Sequence, residues 1–277
     1  MSTDFFNEGV TRLTVFAVVL LLLVFWERWA TLRRQRARQS VRWRTNLGMG
    51  AIDTVVLRVA FPAGAVGAAV VAQNHGWGAF NVLSIPSAVA LALSVLLLDL
   101  AIYFQHWLFH AAPWLWRIHR VHHADPELDV STALRFHPVE SVFSMILKAA
   151  VVLLLGLPPL GVLIFEITLN AAAMFNHTNA SLPARLERWV RRLVVTPDMH
   201  RIHHSTHGRE ANSNFGFSLS WWDRLFRTYR PSARVAQLLM PIDLPDEPPS
   251  PAHIRLGSVL LMPFLAPRKP AVPPASS

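Results

Sequence analysis

Residues 95–110 read VLLLDLAIYFQHWLFH, an apolar run that passes without a break into His106 and His110. The first part of this stretch belongs to a longer apolar segment, residues 82–104, which has the length expected of a helix that crosses a bilayer. His106 and His110 are four residues apart and would share one helical face. This stretch therefore predicts a membrane helix ending in two side chains that can bind one metal ion.

Further apolar segments define the class of the protein. They cover residues 13–26, which Arg12 lengthens if it reaches the headgroups, then 47–72 and 142–175. The last segment is interrupted by Gly156-Leu157-Pro158-Pro159, so it predicts two helices that form a hairpin. Only 16% of the residues are charged, fewer than in ordinary soluble proteins. We expect an all-α, polytopic membrane helix bundle with a cytoplasmic, histidine-rich helical cap.

Two features concern how the chain is inserted. A signal peptide is the alternative for the first segment, but Asp4 and Glu8 precede it and no cleavage site follows, so we favour a retained anchor. Residues 28–44 contain seven arginines, whereas residues 73–82 contain no lysine or arginine. The positive-inside rule therefore predicts that residues 28–44, and all chemical groups from His106 onward, face the cytoplasm.

Charge and composition narrow the function and divide the chain. A net charge of +9 is compatible with nucleic-acid binding, but the basic residues flank apolar segments, which favours anionic lipid headgroups over nucleic acid. The absence of cysteine excludes disulfides, thiolate zinc sites and iron–sulfur clusters. We predict N-terminal transmembrane helices (1–105), a histidine-box catalytic region that includes the membrane hairpin (106–230), and a proline-rich tail (231–277) that is extended or disordered.

Histidine carries the chemistry, because eleven of the thirteen histidines lie between His106 and His207. One HxxxH box and two HxxHH boxes contain eight of them: His106, His110, His119, His122, His123, His200, His203 and His204. A single box could be a helix face with satisfied imidazoles, but three boxes together indicate metal binding. Eight nitrogens are too many for one tetrahedral ion and suit two ions.

The identity of the metal stays open on ligand type alone, since imidazole suits zinc, copper, iron and nickel. No HExxH motif occurs, which disfavours the usual zinc hydrolase arrangement. A metal transporter or store is another alternative, but a transporter should place its ligands near the bilayer midplane, and these boxes lie at helix ends and in polar segments.

Residues around the boxes carry a resemblance to a known family. Asp99-Leu100 precedes Tyr103 and His106, STALRFHP (131–138) follows the second box, and Pro197 leads into the third. Asn214-Phe215-Gly216 and WDRLF (222–226) follow the third box. Over about residues 90–230, this combination on a polytopic frame resembles the sterol desaturase and fatty acid hydroxylase superfamily.

The resemblance implies a membrane enzyme with two iron ions and no haem at its centre. It implies dioxygen as the oxidant, and hydroxylation or desaturation of a C–H bond in a lipid (sterol, fatty acyl or related) that enters from the bilayer. Electrons must come from a separate reductase or ferredoxin-like protein, since no flavin, haem-binding or nucleotide motif is visible in the sequence. A zinc-dependent membrane hydrolase remains the alternative enzyme.

The sequence departs from some fatty acid hydroxylases of this family, which have a further histidine pair between the HxxHH boxes. Only His177 stands there, and Ala173 occupies the position four residues earlier. We count His177 as a ligand. His137 is either an additional ligand or a hydrogen-bonding residue of the turn at Pro138. His207 is a less favoured ligand, and His75 and His253 are expected at the solvent or the membrane interface.

Acidic residues are candidates to hold the ligand rings. Asp99 lies seven residues before His106 on the same helical face, in apolar surroundings. We predict that it accepts a hydrogen bond from a ligand imidazole, with an ordinary interface charge as the alternative. Weaker candidates for the same role are Glu140, Glu166, Asp198 and Asp223. An interfacial aromatic belt is expected from Trp114, Trp116, Trp221 and Trp222.

Overall fold

The computed structural model describes residues 2–35, 37–245, 247 and 250–266, with side chains from residue 8 onward. Predictions made for Arg36 and for residues 267–277 lie outside the described residues. The α-helices are α1 (Ser2–Trp29), α2 (Gln39–Ala60), α3 (Gly64–His75), α4 (Ala79–Val82), α5 (Ser87–Ala111), α6 (Pro113–His123), α7 (Pro138–Leu155), α8 (Pro159–His177), α9 (Ala184–Val190), α10 (Pro197–His203), α11 (Gly208–Ala211), α12 (Trp221–Leu225) and α13 (Leu256–Leu261).

The predicted all-α membrane bundle is confirmed. Within the part of the chain that the structure describes, five segments are long and apolar enough to cross a bilayer: Glu8–Trp29, Gln39–Val82, Ser87–Ala111, Pro138–Leu155 and Pro159–His177. The described ranges contain no strand, only two isolated bridges, Val194 with Leu219 and Ser205 with Ile242. The buried core of the bundle is built from small and branched apolar side chains, such as Ala69, Leu98 and Val162.

The apolar segment 47–72, which we counted as one crossing, is broken into α2 and α3. Pro62 stands between the two helices, and a proline there removes a donor and clashes with the preceding turn. The amide of Phe61 still donates to the carbonyl of Leu57 (2.8 Å) and closes α2. The chain therefore bends inside the bundle.

Helices α7 and α8 form the predicted hairpin. Gly156 ends α7 with φ 72°, a left-handed conformation that favours glycine, and Pro159 starts α8. A Cβ atom on Gly78 would lie 2.2 Å from the backbone nitrogen of Gly156, so the turn before α4 packs directly on the hairpin tip. This contact closes one end of the bundle.

The histidines gather at the other end. Helix α5 ends just after His110, and α8 ends at His177. The amide of Leu32, just after α1, donates to the carbonyl of Asn179 (2.9 Å), which ties the end of α1 to the same region. The helix ends thus frame the site.

A row of ion pairs crosses the inside of the bundle. Arg12 donates to Glu8 (2.8 Å) and to Glu166 (2.6 Å), and Lys148 donates to the other oxygen of Glu166 (2.7 Å). Arg12 therefore pairs with two carboxylates. Pairing is the usual condition for charges in membrane-spanning segments. Glu166 is occupied by these two cations and does not hold a ligand ring.

The prediction of an extended or disordered tail is wrong for residues 251–264. Turns at Pro251–Ile254 and Met262–Phe264 flank α13, and the segment packs on α2 and α6. Val259 is fully buried in this contact. His253, expected at a surface, is only 3% exposed and donates to Asp243 (2.9 Å). Proline starts these short turns instead of preventing them, because the first turn of a helix needs no amide donor.

Candidate metal centre

The ends of four helices carry the predicted ligands. The first box occupies the last turns of α5, the second box the last turns of α6, and the third box α10 and its C-cap, while His177 is the last residue of α8. Helical spacing places the members of each box on neighbouring faces. All of the box histidines and His177 are buried except His110, which is half-buried.

The nine predicted ligands meet in two groups. In each group, one ring nitrogen from every residue lies within 4.8 Å of those of the others. The five-histidine group contains His106, His110, His119, His123 and His203, and the four-histidine group contains His122, His177, His200 and His204. The adjacent residues His122 and His123 fall in different groups, as do His203 and His204. Each HxxHH box therefore contributes to both groups.

Three rings of the five-histidine group are oriented by hydrogen bonds from the ring nitrogen that points away from the group. The Nδ1–H groups donate as follows: His106 to the carbonyl of Phe215 (2.7 Å), His119 to Glu140 (2.8 Å) and His203 to the carbonyl of Ser213 (2.8 Å). A carbonyl or carboxylate can only accept, so Nδ1 carries the hydrogen and Nε2 keeps its lone pair. These three Nε2 atoms are buried and have no partner among the described residues.

In the four-histidine group the Nε2 atoms lie against one another. The Nε2 atom of His177 is 3.0 Å from that of His122 and 3.0 Å from that of His200, which is 3.2 Å from that of His204. His177 donates its Nδ1–H to the carbonyl of Ala173 (2.6 Å), so its Nε2 presents a lone pair. Ring nitrogens this close can share a hydrogen or bind one ion together, since bonds from imidazole to a metal are about 2.0–2.1 Å long.

The charge state of the rings also suits a metal. Burial lowers the pKa of His203 to about 3. Burial likewise lowers the pKa values of four other imidazoles well below the ordinary range: His122, His123, His200 and His204. Neutral imidazole is the form that binds metal. Buried, neutral rings with inward lone pairs fit two ions and would be costly without them.

Four other histidines lie outside the two groups, and one of them, His253, pairs with Asp243 as described above. His137 caps α7: its Nδ1 accepts from the amide of Val139 (3.2 Å) and its Nε2–H donates to the carbonyl of Leu260 (3.1 Å). The turn alternative for His137 therefore describes the structure. His207 contacts Arg234 (2.5 Å), and His75 is exposed.

Asp99 does not occupy the predicted position. Its Oδ2 atom accepts from the amide of Leu219 (3.1 Å) and from the indole of Trp222 (2.9 Å), while the ring of His106 donates to Phe215. The expected hydrogen bond from His106 is therefore wrong. Glu140, which we ranked lower, is the carboxylate that holds a ligand ring. The signal was available, since Glu140 is an acid at the start of an apolar helix directly after the second box.

Asp223 acts on the site through a loop. Its carboxylate accepts from the amides of Phe215 (2.8 Å) and Gly216 (2.9 Å) and from the hydroxyl of Thr228 (2.7 Å). These bonds fix the loop whose carbonyl receives the His106 ring. The fourth acid, Asp198, pairs with Arg201 (2.9 Å).

A buried ion cluster that we did not predict supports the second box. Arg42 is fully buried and donates to Asp125 (2.6 and 2.9 Å) and to Asp129 (2.9 Å). Asn46 donates to the same Asp125 carboxylate (2.9 Å). Burial alone would raise the pKa of Asp125, but Arg42 brings it down to about 2. Because Asp125 follows His123 by two residues, this cluster fixes the end of α6 against α2.

A cavity of about 260 Å³ reaches the site from inside the bundle. Its walls come from α2, α5, α7 and α8 and from the segments after the second and third boxes. His106 and Glu140 lie at one end, and Leu57, Leu169 and Lys148 lie deeper in the bundle. The cavity thus joins the five-histidine group to the membrane-spanning helices.

Comparison with known proteins supports the family resemblance predicted from the histidine boxes. Residues 91–228 match the fatty acid hydroxylase family. The chain is 32% identical to an ornithine lipid hydroxylase of Rhizobium tropici over 53% of this chain and 45% of the relative. It is 31% identical to an alkylglycerol monooxygenase of Danio rerio (57% and 34%) and 28% identical to the human cholesterol 25-hydroxylase (52% of each chain).

The chain belongs to the fatty acid hydroxylase family, within the superfamily predicted from its histidine boxes. The matched regions span about half or less of the length of these three relatives. No solved structure matches the chain.

Proposed function

We propose that the protein is a membrane-bound, two-iron lipid hydroxylase that uses dioxygen. The observation that carries the proposal is the pair of buried histidine groups, one of which reaches the end of a cavity among membrane-spanning helices through His106. The relatives are named for the hydroxylation or monooxygenation of lipids, which favours hydroxylation over desaturation here. The nine histidines of the two groups are the proposed ligands. A metal transporter should bind its ion near the bilayer midplane, whereas these histidines lie at the ends of helices.

Each part of the site has a distinct task. The bound iron pair would supply dioxygen activation and the removal of hydrogen from an unactivated C–H bond. Glu140 keeps the ring of His119 oriented, and the Phe215 and Ser213 carbonyls do the same for His106 and His203. The apolar walls of the cavity, among them Met145, hold the lipid and limit water near the reacting carbon.

Hydroxylation places one oxygen atom in the lipid and reduces the other to water, so electrons must be supplied by another protein. We place the docking face of this reductase or ferredoxin-like donor around Arg209, Arg227 and Arg230. These arginines surround a surface depression that also contains Ser213, whose carbonyl receives the His203 ring. Their charge suits an acidic donor. Arg227→Glu should weaken binding of an acidic ferredoxin, most strongly at low salt, whereas Arg188→Glu should not.

The arginines of residues 28–44 support a cytoplasmic site. The chain has no cysteine, so single cysteines can report its orientation. Ser232 is exposed near the histidine end, and Ser84 is exposed near the hairpin tip. In intact cells, an impermeant thiol reagent should label Ser84→Cys and not Ser232→Cys. The reverse pattern would invert the proposed orientation.

Lipidomics with isotope-labelled dioxygen tests the activity. A deletion strain complemented with the wild-type gene should contain lipids that have gained one labelled oxygen atom. His203→Ala should not restore these lipids, and the exposed control His75→Ala should. Identical lipids in the deletion and complemented strains would refute the proposal.

Elemental analysis of the purified protein should find two iron ions per chain, and stable loading with zinc alone would favour the hydrolase alternative.

A further inference from the structure

The cavity beside His106 has hydrogen-bond acceptors that the protein does not use. The Oε1 atom of Gln105, the Oδ1 atom of Asp53 and the Oε2 atom of Glu140 are buried without a partner in the described part of the chain. All three residues line this cavity. Gln105 is 8% exposed and Glu140 is 5% exposed, so bulk water does not readily reach them. Buried acceptors of this kind are costly unless a donor meets them.

The other oxygen of each carboxylate is already occupied, which fixes the side chains. Glu140 accepts from His119 through Oε1 (2.8 Å), and Asp53 accepts from the Ser141 hydroxyl through Oδ2 (2.8 Å). Because Glu140 and Ser141 are adjacent, Asp53 is held close to the metal end of the cavity. The free oxygens therefore belong to an ordered wall.

The deeper end of the cavity is different. Lys148 is the cation there, and it donates to Glu166 (2.7 Å). Around it the wall is made largely of Leu57, Met145 and Leu169. Unused acceptors are thus concentrated beside His106, while an apolar chain fits the deeper part.

We propose, on the basis of the function proposed above, that the lipid substrate places a hydroxyl group beside His106, where it donates to Gln105 or Asp53. The volume of about 260 Å³ suits a segment of a lipid and not a whole lipid. The oxidised carbon then lies near a polar group of the lipid and not at a bare alkyl end. Ordered water is the other source of donors, and the experiment separates the two.

Competition for photocrosslinking measures this preference without turnover. The full-length, iron-loaded protein is kept anaerobic and without reductant in detergent, and a sixteen-carbon alkyl diazirine is crosslinked to it. Peptides from α5 and α7 should carry the label. Unlabelled 1-hexadecanol and hexadecane then compete, and the ratio of their half-effective concentrations is compared between variants. This comparison cancels the partitioning of each competitor into detergent.

Gln105→Met keeps the size of the side chain and removes the acceptor. It should reduce the preference for hexadecanol about 3- to 10-fold, the range expected for one hydrogen bond. Met145→Leu, in the same cavity, changes no polar atom and should keep the wild-type ratio. Metal content and thermal unfolding show whether each variant is folded. If Gln105→Met is not folded, Asp53→Leu provides a second variant, because leucine has a similar size and no acceptor, whereas asparagine would keep an acceptor oxygen.

The outcomes separate the two proposals. If the ratio of the wild-type protein is unchanged in Gln105→Met and in Asp53→Leu, water fills the acceptors, and this result overturns the inference alone. Absence of label from the cavity peptides in the wild-type protein shows that lipid does not enter there, which overturns the proposed function as well.

Discussion

The two histidine groups contain the same side chain but are held in different ways. In the five-histidine group, Glu140 and two backbone carbonyls accept from the outer nitrogens of three rings. In the four-histidine group, only His177 has such a bond, and the Nδ1 atoms of His122, His200 and His204 have no partner within the described ranges. The ring of His122 stacks on Phe136 instead, with centroids 4.4 Å apart.

The two groups therefore differ in how far the protein itself orients the rings before a metal ion binds. Outer hydrogen bonds fix ring direction before a metal arrives and strengthen the ligand. Stacking restricts a ring without choosing which nitrogen carries the hydrogen. We therefore expect the five-histidine group to hold its ion more tightly, and the four-histidine group to depend more on the metal for its order.

Loss of a ligand from either group should have the largest effect. His203→Ala should remove the ion of the five-histidine group, and His177→Ala the ion of the four-histidine group, because each ring belongs to one group. Each variant should hold one ion per chain, measured by native mass spectrometry, and turnover should fall by more than the roughly 100-fold seen when only a ligand's partner is lost. If either variant loses both ions, the groups form one cooperative unit and the comparison fails.

Glu140→Gln should have the next largest effect. The amide can still accept from His119 but lacks the charge, so we expect a loss of about 10- to 100-fold in affinity for the more tightly held ion. Competition with a chelator measures the release of both ions. Glu166→Gln is a matched control, since Glu166 is as buried as Glu140 but pairs with Arg12 and Lys148. Equal changes in both variants would show a general loss of stability.

Asp223→Asn should act more weakly, through the loop that receives the His106 ring. The change weakens bonds to two backbone amides and to Thr228, and hydrogen bonds to charged groups contribute about 1.5–3 kcal/mol each. We expect a lower unfolding temperature and faster release of the ion from the five-histidine group. Loss of the other ion at the same rate would argue against an effect confined to one group.

Asp99→Asn should have the smallest effect of these changes. Asp99 accepts from Leu219 and Trp222 and contacts neither histidine group, and asparagine keeps one acceptor oxygen. We expect a loss of about 1 kcal/mol in unfolding free energy and normal loading of both ions. A selective loss of one ion in elemental analysis would restore the direct role that we first predicted for Asp99.

The gathering of the nine histidines could be predicted from sequence because the boxes depend on local periodicity. His119, His122 and His123 lie on one short helix, and their spacing allows His119 to share an ion with either of the other two. Adjacent residues on a helix point about 100° apart, so they can serve different ions, but only the structure shows that His119 is grouped with His123. The five apolar segments are equally local signals.

The partners of the ligands could not be predicted in the same way. Phe215 receives a hydrogen bond from a ring 109 positions earlier in the chain, and through a backbone carbonyl, which leaves no trace in residue type. Asp99 was chosen over Glu140 because helical spacing favoured it, but its side chain is turned toward the segment after the third box. The prediction for the tail failed for a related reason. Composition reports the proline content, but it does not show the surface against which Val259 is buried.

The buried position of Arg42 has a consequence for biogenesis. Arg42 is one of the seven arginines counted by the positive-inside rule, which depends on charge and not on folded contacts. In the folded protein the same side chain is buried and donates hydrogen bonds from two nitrogens to Asp125. Lysine has the same charge and would count equally in the positive-inside rule, but it could not donate two parallel hydrogen bonds to the Asp125 carboxylate. Arg42→Lys should therefore yield a chain that is correctly threaded through the membrane and yet poorly assembled, which separates insertion from folding at a single residue.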